Sequence, residues 1–230
     1  MSKDGLKMAR FPQTQAKKGS QKWIQKLVND KPEVLNSQIW STLNFSEKEC
    51  IQWLSPLKND DYAEYRDQAF LKLLDVKLEK LPLDEFWPKG GPQWDALGKG
   101  ASGKLFLVEA KSHIQELFSM LQAKDKDSVK RILKSLGEVK DHLKSKTDFD
   151  WSKCFYQYTN RLAHLYLLRK NGLCAYLVFV YFINDLQMKG PTTVFEWKGA
   201  IKLLHSCLGI GRHKLKNYIA NVFVDINQLQ

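Results

Sequence analysis

Glu109 and Lys111 stand two residues apart in the run Leu105 to Lys111. On an extended strand their side chains therefore leave one face while Val108 and Ala110 leave the other. Burying a face that carries a carboxylate and an ammonium is costly unless something holds the charges, and a metal ion is one candidate. Asp95 lies fourteen positions before Glu109, across the glycine-rich stretch Gly98 to Gly103. A tight turn there lays the two segments side by side and brings both carboxylates to one spot. Two converging carboxylates suit Mg²⁺, with Mn²⁺ as a substitute, because Mg²⁺ binds one or two such groups and keeps several waters. Such an ion neutralises charge on a phosphate oxygen and acidifies a bound water. Lys111 beside that water would offset charge on the reacting phosphorus centre.

The elements that must position these residues follow from periodicity. Lys104 to Ser112 alternates as a strand, and Gln93 to Leu97 predicts a strand before it, with Leu81 to Trp87 as another beyond the breaker Pro88-Lys89-Gly90-Gly91-Pro92. Ala175 to Ile183 is an almost unbroken β-branched and aromatic run, as expected of a strand buried on both faces. Tyr218 to Ile226 predicts a last strand. Helical spacing marks Tyr62 to Leu74, Ile114 to Leu121, Val129 to Leu143, Asp150 to Lys170 (stopped by Asn171-Gly172) and Glu196 to Leu208 (stopped by Gly209). A Ser20 cap before Trp23, Ile24 and Leu27, and a Ser46/Glu49 capping box before Ile51 and Leu54, predict short N-terminal helices. The expected architecture is an α/β mixed central sheet flanked by helices, with an N-terminal helical cap. Residues 1–19 read as a flexible basic arm, 20–58 as a helical extension, and 59–230 as the core domain, with a helical insertion near 124–146.

Composition narrows the partners. Thirty-six Lys and Arg against 25 Asp and Glu give a formal charge of +11, a field that attracts polyanions such as nucleic acid or an anionic membrane. Hydrophobic residues at 43% and aromatics at 12% are ample for a core and argue against global disorder. The four cysteines, Cys50, Cys154, Cys174 and Cys207, form no CxxC pair, so they are expected to be reduced thiols; His205 with Cys207 lacks the second pair a zinc site needs. The N-terminus shows no apolar signal region, and the longest apolar stretch, Leu173 to Ile183, is too short to span a bilayer. A cytoplasmic protein without membrane contact is expected.

Asp95 followed by Glu109-Ala110-Lys111 at a strand end resembles the PD-(D/E)XK, or restriction-endonuclease-like, superfamily. Phe86-Trp87-Pro88, Gly91 to Gly98, Val108 to His113, and Tyr156-Gln157 with Asn160-Arg161-Leu162 are similar to an uncharacterised bacterial branch of it. The resemblance covers about residues 60 to 226, and it departs from the common Pro-Asp pattern in having Trp94 before Asp95. It implies a divalent-metal-dependent nuclease acting on phosphodiester bonds of DNA, with Asp95, Glu109 and Lys111 catalytic. Asp95, Glu109 and the Ala110 carbonyl would be metal ligands. Glu64, on a helix before the first core strand, would be a further ligand, although a capping box with Asp61 explains a glutamate there equally well; Asp84 and Glu85 are weaker candidates.

Gln157, Asn160, Arg161 and His164 share one face of their helix by spacing. The resemblance makes Gln157 and Arg161 contacts of the scissile phosphate, with Asn160 beside them, while His164 fits an exposed face better. Arg212, His213, Lys214 and Lys216 predict a solvated basic loop. The competing reading is a catalytically silent nucleic-acid-binding module of the same fold.

Overall fold

The computed structural model describes residues 9–45 and 50–229. A five-stranded mixed sheet runs through it. In chain order its strands are β2 (Ile51–Ser55), β4 (Ala96–Gly100), β5 (Leu105–Lys111), β6 (Ala175–Ile183) and β7 (Ile219–Asp225), and that is also their order across the sheet. The pairs β2–β4 and β4–β5 are antiparallel, while β5–β6 and β6–β7 are parallel. Every residue of β5 and β6 is buried, as their nearly continuous apolar runs require of strands covered on both faces. At the sheet edge, Trp53 pairs with Gly98, where a Cβ would stand 3.0 Å from the Trp53 ring and from Ile51; the glycine leaves room for that indole to lie against the strand.

Helices α6 (Tyr156–Lys170) and α7 (Val194–Leu208) are the crossovers of the two parallel steps, and both pack on the face carrying Leu107, Phe179 and Tyr181. Helix α5 (Lys126–His142) adds Ile132, Leu136 and Val139 to the same core, so the segment read as an insertion is part of this layer. The opposite face, Phe106, Val108, Val178, Val180 and Val222, is covered by α1 (Gly19–Asp30) and α2 (Pro32–Leu43). The N-terminal segment is therefore not a cap beside a finished domain. It is the third layer of one α/β/α sandwich, and β2 from the same segment joins the sheet.

Several expectations are corrected. The arm over residues 1–19 is docked wherever it is described: β1 (Arg10–Phe11) pairs with β3 (Glu64–Tyr65), and Arg10 donates to Asp60 Oδ1 at 2.8 Å and Asp61 Oδ2 at 3.2 Å. Ser46 and Glu49 lie outside the described residues, and the segment after them, Ile51 to Ser55, is a strand instead of a helix. Left-handed backbone at Asp61 (φ 52°) and Tyr62 (φ 47°) delays the expected Tyr62 to Leu74 helix to α3 (Asp67–Leu73). Leu81 to Trp87 forms a short helix α4 (Leu83–Phe86) behind Pro82, because Leu83, Phe86 and Trp87 all reach the core on that turn. Beyond Ile114–Leu117, a single 3-10 turn, the expected helix gives way to extended chain. All four cysteines are free thiols, and among the described residues no helix is long and apolar enough to cross a membrane.

Leu27 is fully buried between α1 and the sheet. Leu27→Ala should lower the unfolding free energy of the entire domain by about 2–5 kcal/mol, measured by urea denaturation. An unchanged midpoint would mean that α1 is a detachable appendage.

Candidate active site

Strand β5 lies at the centre of the sheet and ends at Lys111, where it carries two charged side chains into the layer beneath α6. The register Ala96 with Val108 sets Asp95, one residue before β4, opposite Glu109. Two backbone contacts hold it there: Asp95 N–H donates to the Val108 carbonyl at 3.2 Å, and Ala110 N–H donates to Asp95 Oδ2 at 2.7 Å. In an antiparallel pair one residue's N–H and carbonyl point to the same neighbour, so the Ala110 carbonyl lies on Asp95's side.

Glu109, only 3% exposed, is gripped by two cations. Lys111 Nζ donates to its Oε1 at 2.5 Å, while Arg161 donates to its Oε2 through Nε at 2.6 Å and Nη2 at 2.5 Å. Gln157 Oε1 accepts from Lys111 Nζ at 3.0 Å. Arg161 also donates to the Gln93 carbonyl at 2.9 Å and to Asn160 Oδ1 at 3.4 Å, and its guanidinium lies 5.0 Å from the Trp94 ring centroid. Helix α6 is buried from Tyr158 to Leu168, so its polar face is turned inward onto the carboxylates.

Glu64 arrives by another route than expected. It sits on β3, not on a helix, and the capping pair with Asp61 does not form, since Asp61 closes a 3-10 turn instead. Its buried carboxylate accepts from Gln93 at 2.5 Å and from Gln21 of α1 at 3.3 Å. Gln93 precedes Asp95 by two residues, a spacing that flags it as a same-face neighbour; Gln21 carries no such signal. Glu116, also absent from the sequence reading, pairs with His113 at 3.1 Å and accepts from Ser112 N–H at 3.3 Å. Burial pushes its carboxyl up against the opposing pull of Lys111 and His113. Asp84 and Glu85 are exposed on α4 and take no part.

The cluster holds three carboxylates, Asp95, Glu64 and Glu109, against two cations, Lys111 and Arg161. Burial, then the charges of Glu109 and Glu64, hold the Asp95 carboxyl well above its usual range despite the pull of Lys111. Burial likewise raises Glu64 against the hydrogen bonds from Gln93 and Gln21. Burial also opposes ionisation of Glu109, but Arg161 and Lys111 more than offset it, so that carboxyl lies below its usual range. Among the described residues, Asp95 has no cation within ion-pair range. The donor set thus fits a hard cation: oxygen ligands with one negative charge in excess. Asp95, Glu64 and the Ala110 carbonyl are the oxygen groups without an ion pair that would hold it, Glu64 while accepting from Gln93 and Gln21, with Glu109 shared with Arg161 and Lys111. As the side chains stand, no three His, Cys, Asp or Glu groups among the described residues form a finished metal-binding set.

His164 is neither exposed nor in a cleft. It is 1% exposed, its Nδ1 lies 2.9 Å from the Asn160 carbonyl, and it is ringed by Phe70, Trp87 and Trp94. Burial pushes its pKa down to about 3. Arg212, Lys214 and Lys216 are exposed, as expected of a solvated loop, whereas His213 is half-buried. His205 Nε2 lies 2.7 Å from the Tyr158 hydroxyl, away from any cysteine cluster. Comparison with protein-family models, characterised proteins and solved structures yields no match to this chain.

Arg161→Met would leave Glu109 buried with half its counter-charge, and should cost about 3–5 kcal/mol of stability, read from urea unfolding at neutral pH; a loss below about 1 kcal/mol would mean the pair is not formed. The depressed pKa of His164 makes a second prediction. The unfolded chain binds a proton at this residue near pH 6.5 and the folded chain only near 3, so its contribution is complete above 6.5 and lost as pH falls from 6.5 toward 3. The loss should approach about 1.4 kcal/mol per pH unit, and it should be missing from the stability profile of His164→Phe.

Proposed function

We propose that this protein is a divalent-metal-dependent nuclease that hydrolyses phosphodiester bonds of DNA, with a restriction-endonuclease-like core, acting in the cytoplasm. The observation that carries the reading is the placement of Asp95 opposite Glu109 on adjacent strands, with Lys111 ion-paired to Glu109 at the same strand end. A bound Mg²⁺ or Mn²⁺ would supply a Lewis acid and an acidified water. Asp95, Glu64 and the Ala110 carbonyl would hold that ion, and Glu109 would complete the set.

The chain's own side chains do the rest. Lys111, oriented by Glu109 and Gln157, presents a fixed positive charge where charge builds on the phosphorus centre. Arg161 orients Glu109 and, though buried, lines the cleft beside the Gln93 carbonyl, from where the same guanidinium would meet a phosphate. Asn160 braces it. The excess of positive charge over the molecule draws the polyanion in.

One observation favours the non-hydrolytic alternative, a nucleic-acid-binding module of the same fold: both Glu109 oxygens are already engaged by Lys111 and Arg161. That reading expects salt-sensitive DNA binding without strand scission. Incubation with plasmid and linear DNA in Mg²⁺, Mn²⁺ and EDTA separates the two. Cleavage should require the metal, and Glu109→Ala, Asp95→Asn and Lys111→Ala should each lower the rate about a hundredfold or more. Equal cleavage by wild type and Glu109→Ala would remove the assignment.

A further inference from the structure

Next to the carboxylate cluster lies a cleft of about 580 Å³, with one lip formed by residues 88–93 and the other by residues 119–125. Its floor is Tyr156, Gln157, Asn160 and Arg161, the same face of α6 that holds Glu109 and Lys111. Both lips are fixed. Asp67 accepts from Gly90 N–H at 3.0 Å and Gly91 N–H at 2.8 Å, and on the other side Ser119 and Leu121 donate from their backbones to Cys154 and Ser152 at 2.5 and 2.9 Å. The space is preformed and of the size that takes one small molecule or nucleotide unit.

We infer that this cleft binds an unpaired nucleotide next to the scissile phosphate, so that the substrate is single-stranded DNA or a duplex with an unpaired segment. The inference rests on the nuclease reading. In a duplex the bases are stacked and paired inside the phosphate backbones, so none can reach a floor recessed between two lips unless it leaves the helix. An unpaired base can. Lys89 and Lys124 stand exposed on opposite lips, and among the described residues neither has a carboxylate within ion-pair range, which leaves both to the sugar-phosphate chain. Asp125, the acidic residue of the rim, is occupied in capping α5 through Ser128 N–H at 2.8 Å. Met120 on one lip is 59% exposed, with Phe118 at 55% beside it: apolar surface of the kind on which bases rest. Burial holds the Tyr156 hydroxyl protonated, with its pKa pushed up to about 12, so with the Gln157 amide it offers donors to a base edge.

The test is fluorescence anisotropy of the full chain in EDTA, where no cleavage occurs, with a labelled single strand and the blunt duplex of the same sequence. The single strand should bind about tenfold more tightly. Ala123→Trp, which fills the cleft from an exposed position, should abolish that preference without moving the thermal midpoint, and Lys89→Glu with Lys124→Glu should weaken single-strand binding about tenfold. Blunt duplex binding as tight as the single strand, a preference that survives Ala123→Trp, or no binding of either DNA would overturn the inference. Cleavage of blunt duplex at the single-strand rate would remove the cleft assignment and leave the nuclease reading intact. A strand preference lost in Ala123→Trp, with no cleavage under any metal, would do the reverse.

Discussion

Glu109 is a carboxylate taken out of water in the middle strand of a sheet, and much of the surrounding structure answers that fact. A buried charge is tolerated only when it is paired and its remaining lone pairs are filled. Lys111 supplies one partner from the same strand and Arg161 the other from the helix above, with Gln157 and the Gln93 carbonyl taking the donors left over. The pairing explains why α6, a helix inside the core, keeps Gln157, Asn160 and Arg161 among its leucines. Asp95 and Glu64 then crowd the same volume without cations of their own.

The sheet makes this crowding possible by using its two faces differently. One face is mainly apolar beneath α1 and α2, a layer of valines, isoleucines and aromatics. On the other face the apolar packing of Leu105 and Leu107 gives way along β5 to its charged end at Glu109 and Lys111. The antiparallel partner delivers Asp95, the parallel crossover delivers Arg161, and β5 itself carries Lys111. The mixed topology therefore brings opposite charges in from opposite directions along the chain.

How much of this could be read from the sequence depended on how local the cause was. Strands β5 and β6 and helix α7 were legible because an alternation, an apolar run or a glycine stop acts within the element itself. The strand-opposite placement of Asp95 and Glu109 was legible for the same reason: one short turn separates them. Leu83–Phe86 departs from the strand expected there because a short apolar run fits either period, and Pro82 precedes it as the N-cap of a helical turn. Ile51–Ser55 was misread as helix because its partner, β4, lies more than forty residues on. Arg161 was placed on the correct helix face, but its commitment to Glu109 depends on the crossover geometry, which no local pattern encodes. Gln21 next to Glu64 is the extreme case, since forty-three positions and a whole layer of the fold stand between them in the chain.

The apolar layer beneath α1 and α2 draws together residues far apart along the chain: Trp23, Leu27 and Ile39 meet Val222, Val224, Ile226 and Leu229 in one cluster. Contacts of such long sequence separation make folding slow, because loop entropy must be lost before they form. During synthesis the first helices therefore wait, with their greasy stripe uncovered, until the final strand leaves the ribosome. Apolar surface left uncovered in this way is the kind on which partly folded chains aggregate.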